Sequence, residues 1–129
     1  MSKRKSIVLL ALIVVLLIVG VSMVIIQNNT PNIKSFELND YQYYIENFSS
    51  KENVGKIIDA NDVAKKAELI WIKLYGENIK KEKPFKVFYD QKSEVWFVCG
   101  TLRSNTMGGV ANILIQDRTG KVLAVWHDK

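Results

Sequence analysis

A run of twenty consecutive uncharged residues, 7–26, constrains this chain more than any other feature. Sixteen of the twenty are Leu, Ile or Val. As an α-helix rising about 1.5 Å per residue, the run is roughly 30 Å long, which matches the hydrocarbon core of a bilayer. The sequence therefore predicts that residues 7–26 form a transmembrane helix and that the protein crosses the membrane once.

The charges on either side of this run predict its orientation. Three basic residues lie in the tail 1–6, whereas residues 27–33 carry no charge. Basic flanks stay in the cytoplasm, so the tail is expected there and the rest of the chain outside. A cleaved signal peptide is the alternative. Its apolar region is usually about 7 to 15 residues long and ends in small residues. The sequence at 21–23 is a poor match to such a site, so an uncleaved anchor is favoured.

The charge balance argues against a nucleic-acid partner. The net charge of the chain is +5, but three positive charges belong to the N-terminal tail. Beyond Ile26 there are 15 basic and 13 acidic residues, a net charge of +2. A domain this close to neutral has little electrostatic attraction for DNA or RNA. Cys99 is the one cysteine, so it forms no internal disulfide and is expected to be a buried thiol.

One helix is predicted clearly, at residues 61–75. Apolar residues recur there at three- and four-residue spacing and lysines occupy the other side, so one stripe is expected to be buried. Asp59 or Asn61 is the predicted N-cap, and Gly76 is the predicted end. Before the helix, residues 27–58 are expected to be a tether followed by an aromatic-rich segment. Its residues 36–48 suit either a strand or a short helix.

After the helix, the pattern changes to short strands joined by short connections. Such connections favour an antiparallel meander. The fold class is therefore predicted to be α+β: an N-terminal transmembrane helix, then one helix packed on a curved four-stranded antiparallel sheet. The predicted strands are 85–89, 94–102, 110–116 and 121–127.

Several short motifs in this region are shared with a known family. They are Trp71, LYGE at 74–77, KPF at 83–85, VW at 95–96, GTL at 100–102, GGVA at 108–111, GKVL at 120–123, His127 and Lys129. With them, residues 59–129 resemble the bacterial immunity proteins that have a nuclear-transport-factor-two-like fold. Such proteins are thought to neutralise polymorphic toxins used between competing bacteria. The resemblance implies a cystatin-like roll and a toxin as partner.

No set of residues with catalytic or metal-binding spacing accompanies these motifs. His127 is the one histidine, and together with Cys99 it supplies neither a nucleophile–base pair nor a metal site. Gly108 and Gly109 lack the Lys-Ser or Lys-Thr pair of a phosphate-binding loop and are expected in an ordinary loop. No catalytic residue, cofactor or metal is therefore expected. A group of four lysines at 80–86 is read as a solvated connection, with attraction of an acidic partner as the alternative.

The functional prediction is a non-enzymatic, membrane-anchored immunity protein at the bacterial cell membrane, which binds and neutralises a toxin. The candidate partner contacts are Trp96, Arg103, Asn105 and Asn112. Trp96 is a recognition anchor if its face of the sheet is open, and part of the core if that face is covered. The alternative function is an envelope module that binds a small ligand or peptide in the concavity of the roll.

Overall fold

The computed structural model describes residues 32–104 and 107–129. They belong to the second of the two compact units into which the chain divides, Pro31–Lys129. Its elements in chain order are β1 (Lys34–Ser35), a first 3-10 helix (Leu38–Tyr41), α1 (Gln42–Asn47), α2 (Ala60–Tyr75), a second 3-10 helix (Glu77–Glu82), β2 (Lys86–Asp90), β3 (Val95–Cys99), β4 (Ala111–Gln116) and β5 (Val122–His127).

The predicted helix is confirmed as α2, with both of its predicted ends. Asp59 is the N-cap, and its carboxylate accepts a hydrogen bond of 2.7 Å from the Asp62 backbone N–H. Gly76 follows the last turn with a φ of 89°, and its N–H donates to the Ile72 carbonyl. A side chain at this φ is strained, so glycine suits the position. Local sequence signals therefore determine where α2 starts and stops.

The predicted four-stranded antiparallel sheet is wrong. The sheet has five strands in the order β1-β2-β3-β4-β5, and it is mixed because β1 pairs in parallel with β2. Only two residues form β1, with Lys34 opposite Phe88, so no alternating pattern marks it in the sequence. Strands β2 to β5 do form the expected antiparallel meander. β3 ends at Cys99 instead of Leu102, because the Thr101 N–H donates to the Glu82 carbonyl.

The predicted fold class also included a transmembrane helix, and the structure does not bear this out in the residues that it describes. Among residues 32–104 and 107–129, no helix is long and apolar enough to cross a membrane. The helix α2 has 16 residues, and its outer side carries lysines and carboxylates. The run 7–26 that carried the prediction lies outside the described residues.

One face of the sheet packs against α2 and forms the larger core. Trp71 and Val63 of α2 are fully buried against Val98 and Ile113 of the sheet. The buried Trp71 indole N–H donates to the Asn112 carbonyl at 3.3 Å, so it carries no unsatisfied donor into the core. The strand residues that alternate with these point to the other face.

The other face is covered by the aromatic-rich segment, residues 36–48, which is helical over most of its length. Phe97, Leu114 and Trp126 of the sheet are buried beneath it. Tyr44 of α1 stacks on Trp126 with ring centroids 4.1 Å apart. No residue of α1 or of the first 3-10 helix is itself buried. The cover is therefore a thin layer over an aromatic face.

Candidate functional site

Glu82 joins four parts of the fold at one end of the sheet. It is the last residue of the second 3-10 helix, and its carboxylate accepts from the Ala111 N–H at 2.7 Å and from His127 Nε2 at 3.0 Å. Its backbone carbonyl accepts from the Thr101 N–H at 2.7 Å. The Glu82 side chain is only 18% exposed, so its carboxylate is largely shielded from water. Glu82 therefore fixes the segment that follows it to strands β3, β4 and β5.

The hydrogen bonds of His127 favour its charged form. Nδ1 lies 2.7 Å from the Asp128 carbonyl and Nε2 lies 3.0 Å from the Glu82 carboxylate, and both of these partners are acceptors. Two acceptors facing the ring nitrogens favour the protonated imidazolium, in which both nitrogens donate. Burial lowers the pKa of His127, but the bonds to Asp128 and Glu82 outweigh it and raise that pKa above its ordinary value. Both ring nitrogens are thus engaged by partners within the fold, and neither is open to a substrate.

The motifs found in the sequence converge on this cluster. Gly100 is packed so closely on Glu82 that a Cβ would collide with the carboxylate, and a Cβ on Gly109 would collide with Asp128. The Tyr75 ring meets the His127 ring edge to face, with centroids 5.5 Å apart. The Leu-Tyr-Gly-Glu, Gly-Thr-Leu and Gly-Gly-Val-Ala motifs therefore build a scaffold around Glu82 and His127. Their role here is to hold backbone segments together.

Beside this scaffold, an open groove runs between α2 and the start of β2. Its volume is about 550 Å³, and its floor includes Pro84, Phe85 and Val87. Phe85 rests edge to face on the buried Trp71, with centroids 5.1 Å apart. Across the groove, the Lys83 ammonium pairs with the Glu68 carboxylate of α2 at 3.0 Å. The groove is a concave surface with an apolar floor and charged walls, as ligand and partner sites commonly are.

The structure separates the four predicted contact residues. Trp96 is 8% exposed and faces α2, and its indole N–H donates to Asp117 at 2.7 Å. Asn112 is 4% exposed, and its amide donates to the Val110 carbonyl and to Asp128. Arg103 is exposed in the loop between β3 and β4, and Asn105 lies outside the described residues. Trp96 and Asn112 are therefore part of the interior, and a contact role for Arg103 stays a prediction.

Glu82 and Phe85 are the residues that sequence reasoning missed. Glu82 lies in a run of charged residues, where a carboxylate with a structural role looks like any solvated one. Its partners Ala111 and His127 are 29 and 45 residues away. Phe85 belongs to the Lys-Pro-Phe motif and was assigned to a strand. The one available signal is that this motif and the glycine motifs are among those that carry the resemblance to the family.

The titratable groups do not assemble a metal site in the described part of the chain. No group of three or more His, Cys, Asp or Glu side chains there is arranged to hold an ion. Cys99 is buried, and this burial raises the pKa of its thiol, as expected for a thiol in the core.

The comparisons with known proteins agree with the geometry. A family model described as NTF2 fold immunity protein matches residues 63–129, which is just over half of the chain. The matched region contains most of α2, all of β2 to β5 and the whole Glu82–His127 cluster. No curated protein and no solved structure gives a significant match. Together, the shared motifs, the helix-on-sheet fold and this match show that the chain belongs to the family of NTF2 fold immunity proteins.

Proposed function

We propose that this protein is a non-enzymatic immunity protein that binds an antibacterial toxin and blocks its action. The observation that carries the proposal is the family match over residues 63–129. The geometry of the cluster supports a binding role: the ring nitrogens of His127 and the carboxylate of Glu82 are engaged in holding the fold. What remains on the surface is a groove with a rigid wall, which suits recognition of a partner.

The alternative, a small ligand or peptide in the concavity of the roll, has less support. An open apolar pocket lined by Trp96 would favour that alternative. Trp96 is instead buried between the sheet and α2, and its N–H is used inside the protein. Trp71 and Val63 of α2 fill the same space. A protein partner that docks on the outer surface is therefore favoured over a ligand held within the roll.

Deleting the gene in the source bacterium tests this proposal. In mixed culture with the parental strain, the deletion strain is expected to lose, and the full-length gene supplied in trans is expected to restore its survival. Tagged full-length protein purified from the parental strain is expected to carry one partner protein in stoichiometric amount. Equal survival of both strains, with no stoichiometric partner in the purified protein, would sink the proposal.

The location of the protein is a separate proposal, at the bacterial cell envelope with the C-terminal domain outside the cytoplasm. It derives from the charge distribution of residues 1–33, most of which lie outside the described residues. Protease added to intact, wall-stripped cells is expected to digest the C-terminal domain while a cytoplasmic marker survives. Full protection of the domain would contradict this location.

A further inference from the structure

We infer that the groove around Phe85 is the docking site for an acidic segment of the toxin, with an apolar side chain of that segment placed on the groove floor. That the segment belongs to the toxin rests on the proposed function. That it is acidic and carries an apolar side chain is argued from the charges and shape of the groove. A second opening of about 310 Å³ adjoins the groove, and the two share the lining residues Pro84, Phe85 and Val87.

The charge on the rim of this groove selects an acidic partner. Four lysines line the two openings: Lys34, Lys65, Lys83 and Lys86. Glu68 is the acidic residue among the lining side chains, and its charge is matched by Lys83. The lining residues thus carry a net charge of +3, more than the +2 of all residues beyond Ile26. The positive charge of the domain is concentrated around the groove.

Two of these lysines are available to a partner. Lys65 and Lys86 are both exposed, and neither forms a salt bridge with another described residue. Lys65 lies on α2 and lines the first opening, whereas Lys86 begins β2 and lines the second. Carboxylates on a bound segment can pair with both while a residue between them covers the Phe85 ring. Such complementary charge steers association and fixes the register of a partner.

The groove wall is held in place before any partner binds. Glu82 is fixed to Ala111 and His127, and the Pro84 carbonyl accepts a hydrogen bond from the Thr101 hydroxyl. Phe85 rests on Trp71, which is fully buried. A wall that is already ordered loses little conformational entropy on binding, which favours affinity. The shape is a cleft with an apolar floor, which fits an inserted side chain better than a planar array of lipid headgroups.

The binding test uses full-length protein in a neutral detergent and a defined probe. The probe is a short fluorescein-labelled peptide in which aspartates and glutamates flank one leucine. Lys65→Glu with Lys86→Glu is expected to weaken its binding by about tenfold or more. Lys51→Glu with Lys121→Glu makes the same change of charge at exposed positions outside the groove. This control is expected to stay within about twofold of the wild type.

The outcomes separate the possible occupants of the groove. One outcome would show that the groove binds an anionic lipid headgroup and not an acidic protein segment. In that outcome, the peptide still binds after its leucine is exchanged for serine, and short-chain phosphatidylglycerol displaces it while phosphatidylcholine does not. If both double variants weaken peptide binding equally, the effect is due to the net charge of the protein, and the groove is not the binding site. Unchanged binding in the groove variant would overturn the site as well.

Complementation of the deletion strain separates this inference from the proposed function. The Lys65→Glu, Lys86→Glu protein is expected to fail to protect, while the Lys51→Glu, Lys121→Glu protein protects fully at the same abundance. Protection by both variants would place the toxin elsewhere on the domain and leave the immunity function intact. If the deletion strain survives as well as the parental strain, the proposed immunity function is wrong. Peptide binding in the groove is then still decided by the binding test alone.

Discussion

The two faces of the sheet are covered in different ways. On one face, α2 contributes fully buried side chains such as Val63 and Trp71 to a core of fourteen buried residues. On the other, six buried residues lie under residues 36–48, where α1 and the 3-10 helix before it bury no residue of their own. The family match includes most of α2 but begins after the aromatic cover. The matched region is thus one helix on a sheet, and the aromatic cover lies outside it.

This difference predicts unequal contributions of the two faces to stability. Area buried from water sets the stabilisation, and an incomplete cover buries less of it. The cover is held at its two ends by single hydrogen bonds, from the Leu38 N–H to Asp90 and from the Val125 N–H to the Phe48 carbonyl. Local opening of such a layer needs less free energy than unfolding of the whole domain.

The largest effect is expected from Trp71→Ala, in the α2 face. The side chain is fully buried and supports Phe85 of the groove, so its loss leaves a cavity and removes the indole hydrogen bond to the Asn112 carbonyl. The free energy of unfolding should fall by about 3 to 5 kcal/mol, measured by chemical denaturation. Leu69→Ala on the same helix is the control, because Leu69 is 67% exposed and should cost under about 0.5 kcal/mol. A loss below that of Tyr44→Ala would reverse the ranking of the faces.

A smaller effect is expected from Tyr44→Ala, in the aromatic cover. It removes the ring that stacks on Trp126 and should cost about 1 to 2 kcal/mol. Amide hydrogen exchange should quicken across residues 36–48 while the amides of α2 keep their protection. Tyr43→Ala is the matched control, since that ring is 63% exposed. Equal quickening in α2 would show that the cover and the α2 face unfold as one unit.

The smallest expected effect is a pH dependence of the unfolding free energy that arises from His127 and Glu82, both within the region matched by the family model. The pKa of His127 is raised in the folded state, so its stabilisation is complete below its ordinary value of 6.5 and is lost as pH rises through the higher folded pKa. Unfolding free energies measured from mildly acidic to mildly alkaline pH should therefore decline in the wild type. Glu82→Gln removes the carboxylate partner of His127 and should flatten that decline. An unchanged slope in Glu82→Gln would refute the charged pair.

The elements that sequence predicted are those whose signals are local. The spacing of apolar residues along α2 and its two caps lie within one stretch of chain, and the short connections force neighbouring strands to pair. In β3, Trp96 faces α2 and Phe97 faces the aromatic segment, as the alternation of side chains along a strand requires. The sequence pattern did not identify which element lies on each face. Trp96 is buried by α2, and Trp126 by the aromatic segment whose conformation was left open.

The sites that sequence could not predict depend on residues far apart in the chain. Glu82 meets His127 across 45 positions, and Lys34 comes to the rim of the groove because β1 pairs with β2 in parallel. Neither contact has a periodic signature, since each arises from the way separate elements pack. Asn112, predicted as a partner contact, is 4% exposed, and its amide donates to the Val110 carbonyl and to Asp128 within the domain.

The sequence by itself determined the family, the helix α2 and the order of the strands in the meander, because family motifs, apolar periodicity and short loops are each signals carried by residues close together in the chain. Only the tertiary structure decided that Glu82 and His127 form a hydrogen-bonded cluster at one end of the sheet, and that lysines from β1, α2 and β2 lie around Phe85. The physical reason is that a binding surface is made of side chains brought together across the fold, and a linear pattern does not specify which of them meet.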